Sequence, residues 1–435
     1  MAATVRLYYL FRGLSSAFLF KVFLVFYYLE QGLGFAHIGI LQAIFAFTVI
    51  FLEIPTGIWA DRYGRRKTMG YGALLMSLAA FGYYFAQGFY HFAFFEFLLA
   101  FGLSLTSGAD SAFLYDALKS ANKEELYSEL EGKAGFAKHL GMALSALIGG
   151  FIAMRSLSAL FPCTAVIIFL SYLVTFFMEQ GLPVTTNVHQ SAATHWRESL
   201  TALRNHRAIW WTILYSSLVF LMVRASDTLL QPVLKANGFE YWKIGILAAA
   251  GSLVAAFASK STGTLLKRYN ESFMLWMLPV ILLISYALFA SGSGILLGVV
   301  LLANLGIQGF YSPFTKTLLN RSIEKSQVRA TLLSMESSVK RTVIALLMPL
   351  IGFVIDRYGM KGGLFTLVIT GLICLVALFW ATPGKLGGFG KLKTGYKGGS
   401  RTPLGESSVL NSGIPTRDLV EVDSQVCSAT GKPAP

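Results

Sequence analysis

Charge is scarce in this chain. Asp, Glu, Lys and Arg make up 13% of its 435 residues, about half the roughly 25% of a soluble domain. Acidic groups are the rarer sign, 22 against 36 basic ones, for a net charge of +14. Cysteine is nearly absent: of three residues, Cys163 and Cys374 lie in apolar runs and Cys427 in the polar C-terminal stretch. No disulfide framework or metal-ligand spacing follows from them. There is no phosphate loop, nucleophile elbow or metal cluster, which argues against an enzyme, direct ATP drive, a bound metal or any cofactor. The start, MAATVRLYYLF, lacks both an extended charged region and a small-residue cleavage site, so no cleavable leader is expected.

What the chain has is apolar surface: 55% hydrophobic residues and a mean hydropathy of +0.60. A soluble fold of this length cannot bury that much, whereas a bilayer hides about 20 apolar residues per helical crossing. Apolar runs of spanning length fall near 7–30, 36–59, 68–88, 90–117, 132–155 and 158–180. A second set falls near 206–232, 241–262, 273–291, 293–320, 328–355 and 361–381. The expectation is an all-α membrane protein with twelve transmembrane helices in two pseudo-symmetric six-helix bundles. Residues 1–180 would form the first bundle and 206–381 the second. Between them 181–205 is polar, with Trp196, Leu200 and Leu203 able to share one face of a short surface helix. Residues 382–435, rich in Gly, Lys and Ser, read as a disordered tail, with a protein partner as one use for it.

The basic residues set the orientation. With both termini in the cytoplasm, inner loops carry about seventeen and outer loops about five. The expected location is thus the cytoplasmic (inner) membrane. Charges spread over many short loops make a poor nucleic-acid surface, and none is expected to bind. The two halves also echo one another. Gly57-Ile-Trp-Ala-Asp61-Arg62-Tyr63 returns, degraded, as Gly263-Thr-Leu-Leu-Lys267-Arg268-Tyr269. Lys138-His139 followed by Gly150 returns as Lys340-Arg341 followed by Gly352. The offsets differ by about four residues, as in a duplicated six-helix unit with a midplane site between its copies.

Residues 57–66, GIWADRYGRR, follow the second span. Glu53, Gly57 and Asp61 are spaced i, i+4, i+8 and form one stripe. Gly57 would let another helix approach closely, and Asp61 is placed to meet the positive N-terminus of a neighbouring helix. This run, with Arg62, Gly64, Arg65 and Arg66, resembles the loop after helix 2 in the major facilitator superfamily of secondary transporters. The resemblance covers roughly residues 5–381. It implies that Asp61 meets helix 11 of the opposite half and latches the outward-facing state. It also implies that Arg65 pairs with an acid at the end of helix 4, a place that Asp116 occupies. Topological anchoring by Arg62, Arg65, Arg66 and Lys67 is the plainer role for the same bases.

The fourth span departs from the pattern. Many proton-coupled exporters of the family carry an arginine where this chain has Glu96, in Glu96-x-x-x-Ala100-x-Gly102. An intramembrane acid is costly and so a functional candidate, unless Glu96 is solvated near the outer interface. Asp110, in SGADSAFLYDAL, lies deeper. It is either the proton-coupling acid or the neutraliser of a base such as Lys138. The fifth span ends Gly141-x-x-x-Ser145-Ala146-x-x-Gly149-Gly150, with the small residues of the exporter motif but without its proline. Close helix packing explains those residues equally well.

The remaining buried charges are Lys21, the pair Arg224 and Asp227, and the group Glu336, Lys340 and Arg341. Arg224–Asp227 and Glu336–Lys340 have helical pairing distances. Lys21 has no acid within a turn, and the first span lines the central cavity in the resembled family, as does the tenth, with Asn304, Gln308 and Tyr311. Lys21, Arg224, Lys340 and these three are the substrate-cavity candidates. Asp110, then Asp227 and Glu96, are the proton-coupling candidates. The implied activity is secondary transport of a small organic molecule, driven by a proton or other ion gradient. Antiport in the efflux direction comes first, because EIPTGIWADRYGRRK and SGADSAFLYDALK look most like bacterial drug-efflux permeases. Movement of an organic anion, such as a siderophore or carboxylate metabolite, is the alternative within transport. A non-transporting scaffold or receptor is the alternative of another class.

Overall fold

A computed structural model describes residues 2–179, 207–291, 294–322 and 326–382. The expected surface helix at 181–205 and all but the first residue of the tail lie outside them. Among the described residues the regular structure is entirely helical. The first half of the chain holds α1 (Ala2–Leu14), α2 (Leu24–Glu30), α3 (Phe35–Tyr63), α4 (Arg65–Tyr83), α5 (Gly88–Lys119), α6 (Tyr127–Ala153) and α7 (Leu160–Phe176). The second holds α8 (Arg207–Ala236), α9 (Tyr241–Arg268), α10 (Glu271–Ser291), α11 (Gly294–Ser322) and α12 (Ser326–Trp380). Gly359, at φ 75°, breaks α12 into two segments. Counting α1 and α2 as one crossing and α12 as two gives twelve.

Hydropathy makes these helices. In α3 the best window averages 2.1 on the hydropathy scale. Side chains such as Phe51, Phe151, Phe257 and Ile373 remain exposed on helix flanks, where only hydrocarbon suits them. Inside the first half, Phe20, Tyr27, Tyr28, Tyr83, Phe92 and Phe161 pack into one aromatic cluster. Tyr83 and Phe161 stack 5.2 Å apart and 6° from parallel, and each such pair adds about 0.5–1.5 kcal/mol beyond area burial.

The first crossing is not one helix. Residues 15–23 form turns between α1 and α2. Gly13, Ser15 and Ser16 are weak helix formers, and the freed backbone is served elsewhere: Leu19 N–H donates to Thr164 Oγ1 at 3.2 Å. The small residues of α6 have their reason here, because a Cβ on Gly149 would sit 2.6 Å from Leu19 O. Gly141 similarly lies against the Gly13 backbone. The turn after α3 is also tighter than a loop. Gly64 alone, at φ 93°, separates α3 from α4, so the basic cluster rides on the helices themselves.

The halves meet along two seams, α3 with α12 and α6 with α9. Both close at one end, here termed the far end. A Cβ on Gly39 would meet Met348 O at 2.5 Å and Pro349 Cα at 2.7 Å. On Gly245 it would meet Ala146 O at 2.6 Å. At the opposite, basic end, Gly57 on α3, Gly132 and Gly135 on α6 and Gly263 on α9 have nothing within 4 Å of that position. Along these helices the basic end is therefore the open one at the glycine positions.

Candidate functional site

At the basic end, Asp61 has 64% of its side chain exposed and lies 3.6 Å from Arg65 Nη2. Arg65 also places Nε 3.0 Å from Asp116 Oδ2, joining α4 to the end of α5. Arg66 donates to the Met178 carbonyl at 2.7 Å, and Arg62 lies over the Tyr63 ring. Gly57 faces open space, so the close helix approach expected there is absent in this conformation. Glu53, higher on the same stripe, is half-buried and within electrostatic reach of Arg341.

The far end carries a feature that the sequence-based expectations lack. Gly352-Phe-Val-Ile-Asp356-Arg357-Tyr358-Gly359 repeats the G-x-x-x-D-R-Y-G of residues 57–64. Asp356 accepts hydrogen bonds from Phe35 N–H and Ala36 N–H, both at 2.8 Å. These are two of the four donors that the first turn of a helix leaves unserved. Gly34, the cap residue of α3, has no side chain to serve them.

Midway along the helices lies a cluster of charge. Lys21 is exposed although it belongs to the first crossing, and the charges acting on it are Asp227, Arg224 and Lys138. It makes no ion pair among the described residues. Arg224 Nη1 lies 3.7 Å from Asp227 Oδ2, and Gln308 Nε2 donates to the same oxygen at 3.1 Å. Asn304, one turn from Gln308, is buried with neither amide atom partnered among the described residues. Arg341 Nε also lacks a partner. Gln42 on α3 donates to Thr228 on α8 at 3.0 Å, tying the halves together beside this cluster.

Two further cavity candidates have close partners in the second half. Lys340 is 2.7 Å from Glu336, which also accepts from Ser216, and its side chain is 11% exposed. Tyr311 is buried against Phe220. Both therefore make their contacts within the second half.

Glu96 is not solvated. It is 5% exposed and accepts from Tyr28 Oη at 2.8 Å, because the aromatic cluster covers this end of α5. Asp110 is neutralised by Arg12 rather than by Lys138. Glu131 completes that group, 3.8 Å from Arg12 and accepting from Ser111 and Tyr8. Arg12 and Glu131 were legible only as a base and an acid inside or beside apolar runs. Nothing local joins them to a residue about a hundred positions away.

Comparison with known proteins places this architecture. An MFS-type transporter of Bacillus subtilis (strain 168), YxaM, whose own function is uncharacterized, is 25% identical over 264 residues, 56% of this chain. The chain spans 61% of the length of that curated relative. Among solved structures, the nucleoside transporter NupG superposes with a TM-score of 0.74 at 15% identity, covering 87% of this chain and 98% of its own. A D-xylose-proton symporter gives 0.69 at 14%, covering 87% and 97%. Those likenesses carry the fold. The family model described as the Major Facilitator Superfamily matches residues 7–338, and the chain belongs to that superfamily.

Proposed function

We propose that this protein is a secondary transporter that carries a small organic anion across the cytoplasmic membrane by alternating access. The carrying observation is Lys21: a base at mid-membrane depth, exposed and without an ion pair among the described residues, with Asp227, Arg224 and Lys138 as the charges acting on it. A charge held in a partly dehydrated interior attracts its opposite far more strongly than in water. Intramembrane charge without a protein partner marks a substrate or ion path. Asn304, with both amide atoms unserved, supplies a second contact of hydrogen-bonding type. The excess of basic groups assigns the open end to the cytoplasm, so the conformation described is inward-open.

Energy comes from a proton gradient in this reading, as the name of the xylose symporter states for that protein. We assign the coupling proton to Asp227 ahead of Asp110 and Glu96. Asp110 is held by Arg12 and Glu96 by a tyrosine hydroxyl, whereas Asp227 keeps 27% of its side chain exposed among groups a solute would touch. A proton on Asp227 would release Arg224 toward an incoming anion.

The test is transport into vesicles carrying the purified full chain, using a panel of carboxylates, phosphorylated metabolites, nucleosides and pentoses under an imposed pH difference. Anions should accumulate, and Lys21→Ala should raise the concentration for half-maximal movement by about tenfold. Accumulation of nucleosides or pentoses alone would transfer the recognition to Asn304 and Gln308 and end the anion reading.

A further inference from the structure

Asp356 occupies an unusual position for an exposed carboxylate. Its two oxygens take the first two N–H groups of α3, on the opposite half of the molecule, and no basic side chain pairs with it among the described residues. The backbone makes room for this. Gly34 approaches so closely that a Cβ there would lie 2.7 Å from Asp356 Oδ2. Immediately beside it, Gly352 on α12 sits against the Phe35 carbonyl. Three separate features of the sequence therefore converge on one contact: a helix without a side-chain cap, a glycine where a larger residue would collide, and a second G-x-x-x-D-R-Y-G.

We infer that Asp356 is the positioning residue of the far-end gate, a cap lent by one half of the transporter to a helix of the other. The capped donors and the capping carboxylate sit on opposite sides of a seam that must part for the far end to open. While the seam is shut, α3 has a charged acceptor at its positive end. When the seam parts, Phe35 and Ala36 exchange that acceptor for water. The contact thus adds its free energy to one state only, which is the condition for shifting a two-state balance. Asp61, in the first copy of the octapeptide, is exposed in the same conformation. The two copies then act in opposition, one engaged whenever the other is free.

This inference rests on the alternating-access reading, and the experiment separates the two. Spin labels at Gln31→Cys and Asn237→Cys span the far end, and a second pair at Lys123→Cys and Lys260→Cys spans the basic end. Distances are measured in the reconstituted full chain with its native cysteines replaced. The unsubstituted background should populate two far-end distances, mostly the short one. Asp356→Ala should raise the ratio of long to short by about two- to fivefold, the range for a charge at an exposed helix terminus. Gly34→Ala should act in the same direction with the carboxylate intact. Asp356→Glu should retain part of the short population. Asp61→Asn should move the balance the opposite way. If two distances persist but ignore Asp356→Ala and Gly34→Ala, the gate inference is wrong and alternating access stands. If both aspartates shift the balance in one direction, the effect is general destabilisation and the inference is wrong. A single distance in every variant would sink both.

Discussion

The two octapeptides, Gly57–Gly64 and Gly352–Gly359, share five of eight letters and a left-handed glycine at the end, yet their surroundings differ. The first continues Arg65-Arg66-Lys67, and Arg65 and Arg66 clamp it to Asp116 and Met178 within its own half. The second continues Met360-Lys361-Gly362, with no such clamp among the described residues. The first aspartate is exposed beside Arg65, and the second is committed to a helix of the other half. The shared letters build a helix end with a projecting carboxylate and a sharp turn. The residues beyond the turn decide whether that end is also fixed in place. In the proposed orientation the basic continuation faces the cytoplasm, where it would anchor topology as well.

The comparison breaks most severely if the far seam is wedged. Gly39→Leu forces a side chain into the Met348–Pro349 backbone, and overpacking of this kind costs about 1–3 kcal/mol. The population with a closed far end should fall by about five- to 150-fold. Gly57→Leu, which meets open space in this conformation, should leave the melting temperature unchanged. Equal losses in the two variants would erase the asymmetry between the ends.

Arg65→Ala comes next. It removes a partly buried partner of Asp116 and should destabilise the purified protein by about 1–2 kcal/mol in denaturant melts. Met360→Ala, at the matching place in the second copy, should cost less than that. Lys21→Ala, judged by ligand binding, should weaken a carboxylate by about tenfold and spare a neutral solute. It should not disturb the far-end balance without ligand, because it touches neither octapeptide. Asp61→Asn should have only a slight effect on stability. An exposed pair of this kind contributes about 0–1 kcal/mol, so its melt should nearly overlay the parent's, even while transport slows.

The crossings were legible because hydropathy is local, and so was the family, because the run at 57–66 is contiguous. Contacts between distant segments were not. Nothing near Ser15 announces that Thr164 will serve a freed backbone group, and nothing near Glu96 announces the hydroxyl of Tyr28. Asp110 was visible as a buried acid, but the base expected for it was Lys138, and Arg12 emerges as its partner only once α1 lies against α5. The second octapeptide is a different case, since it was readable letter for letter. It escapes notice when the halves are matched span for span, because that pairs the second crossing with the eighth. Geometry instead sets the second crossing against the eleventh, running the other way.

The interruption in the first crossing has a consequence for how the chain is made. Its pieces, thirteen and seven residues long, carry Arg12 and flank Lys21. A lone base at the centre of a nascent span adds roughly 2.5–3.5 kcal/mol to the cost of leaving the translocon. The acid that neutralises Arg12 is not yet synthesised at that moment. At roughly 5–20 residues per second, Asp110 follows Arg12 by about 5–20 seconds. Through that interval the strongly apolar α3 is the anchor that holds the young chain, and the first crossing settles only when α5 arrives with its carboxylate.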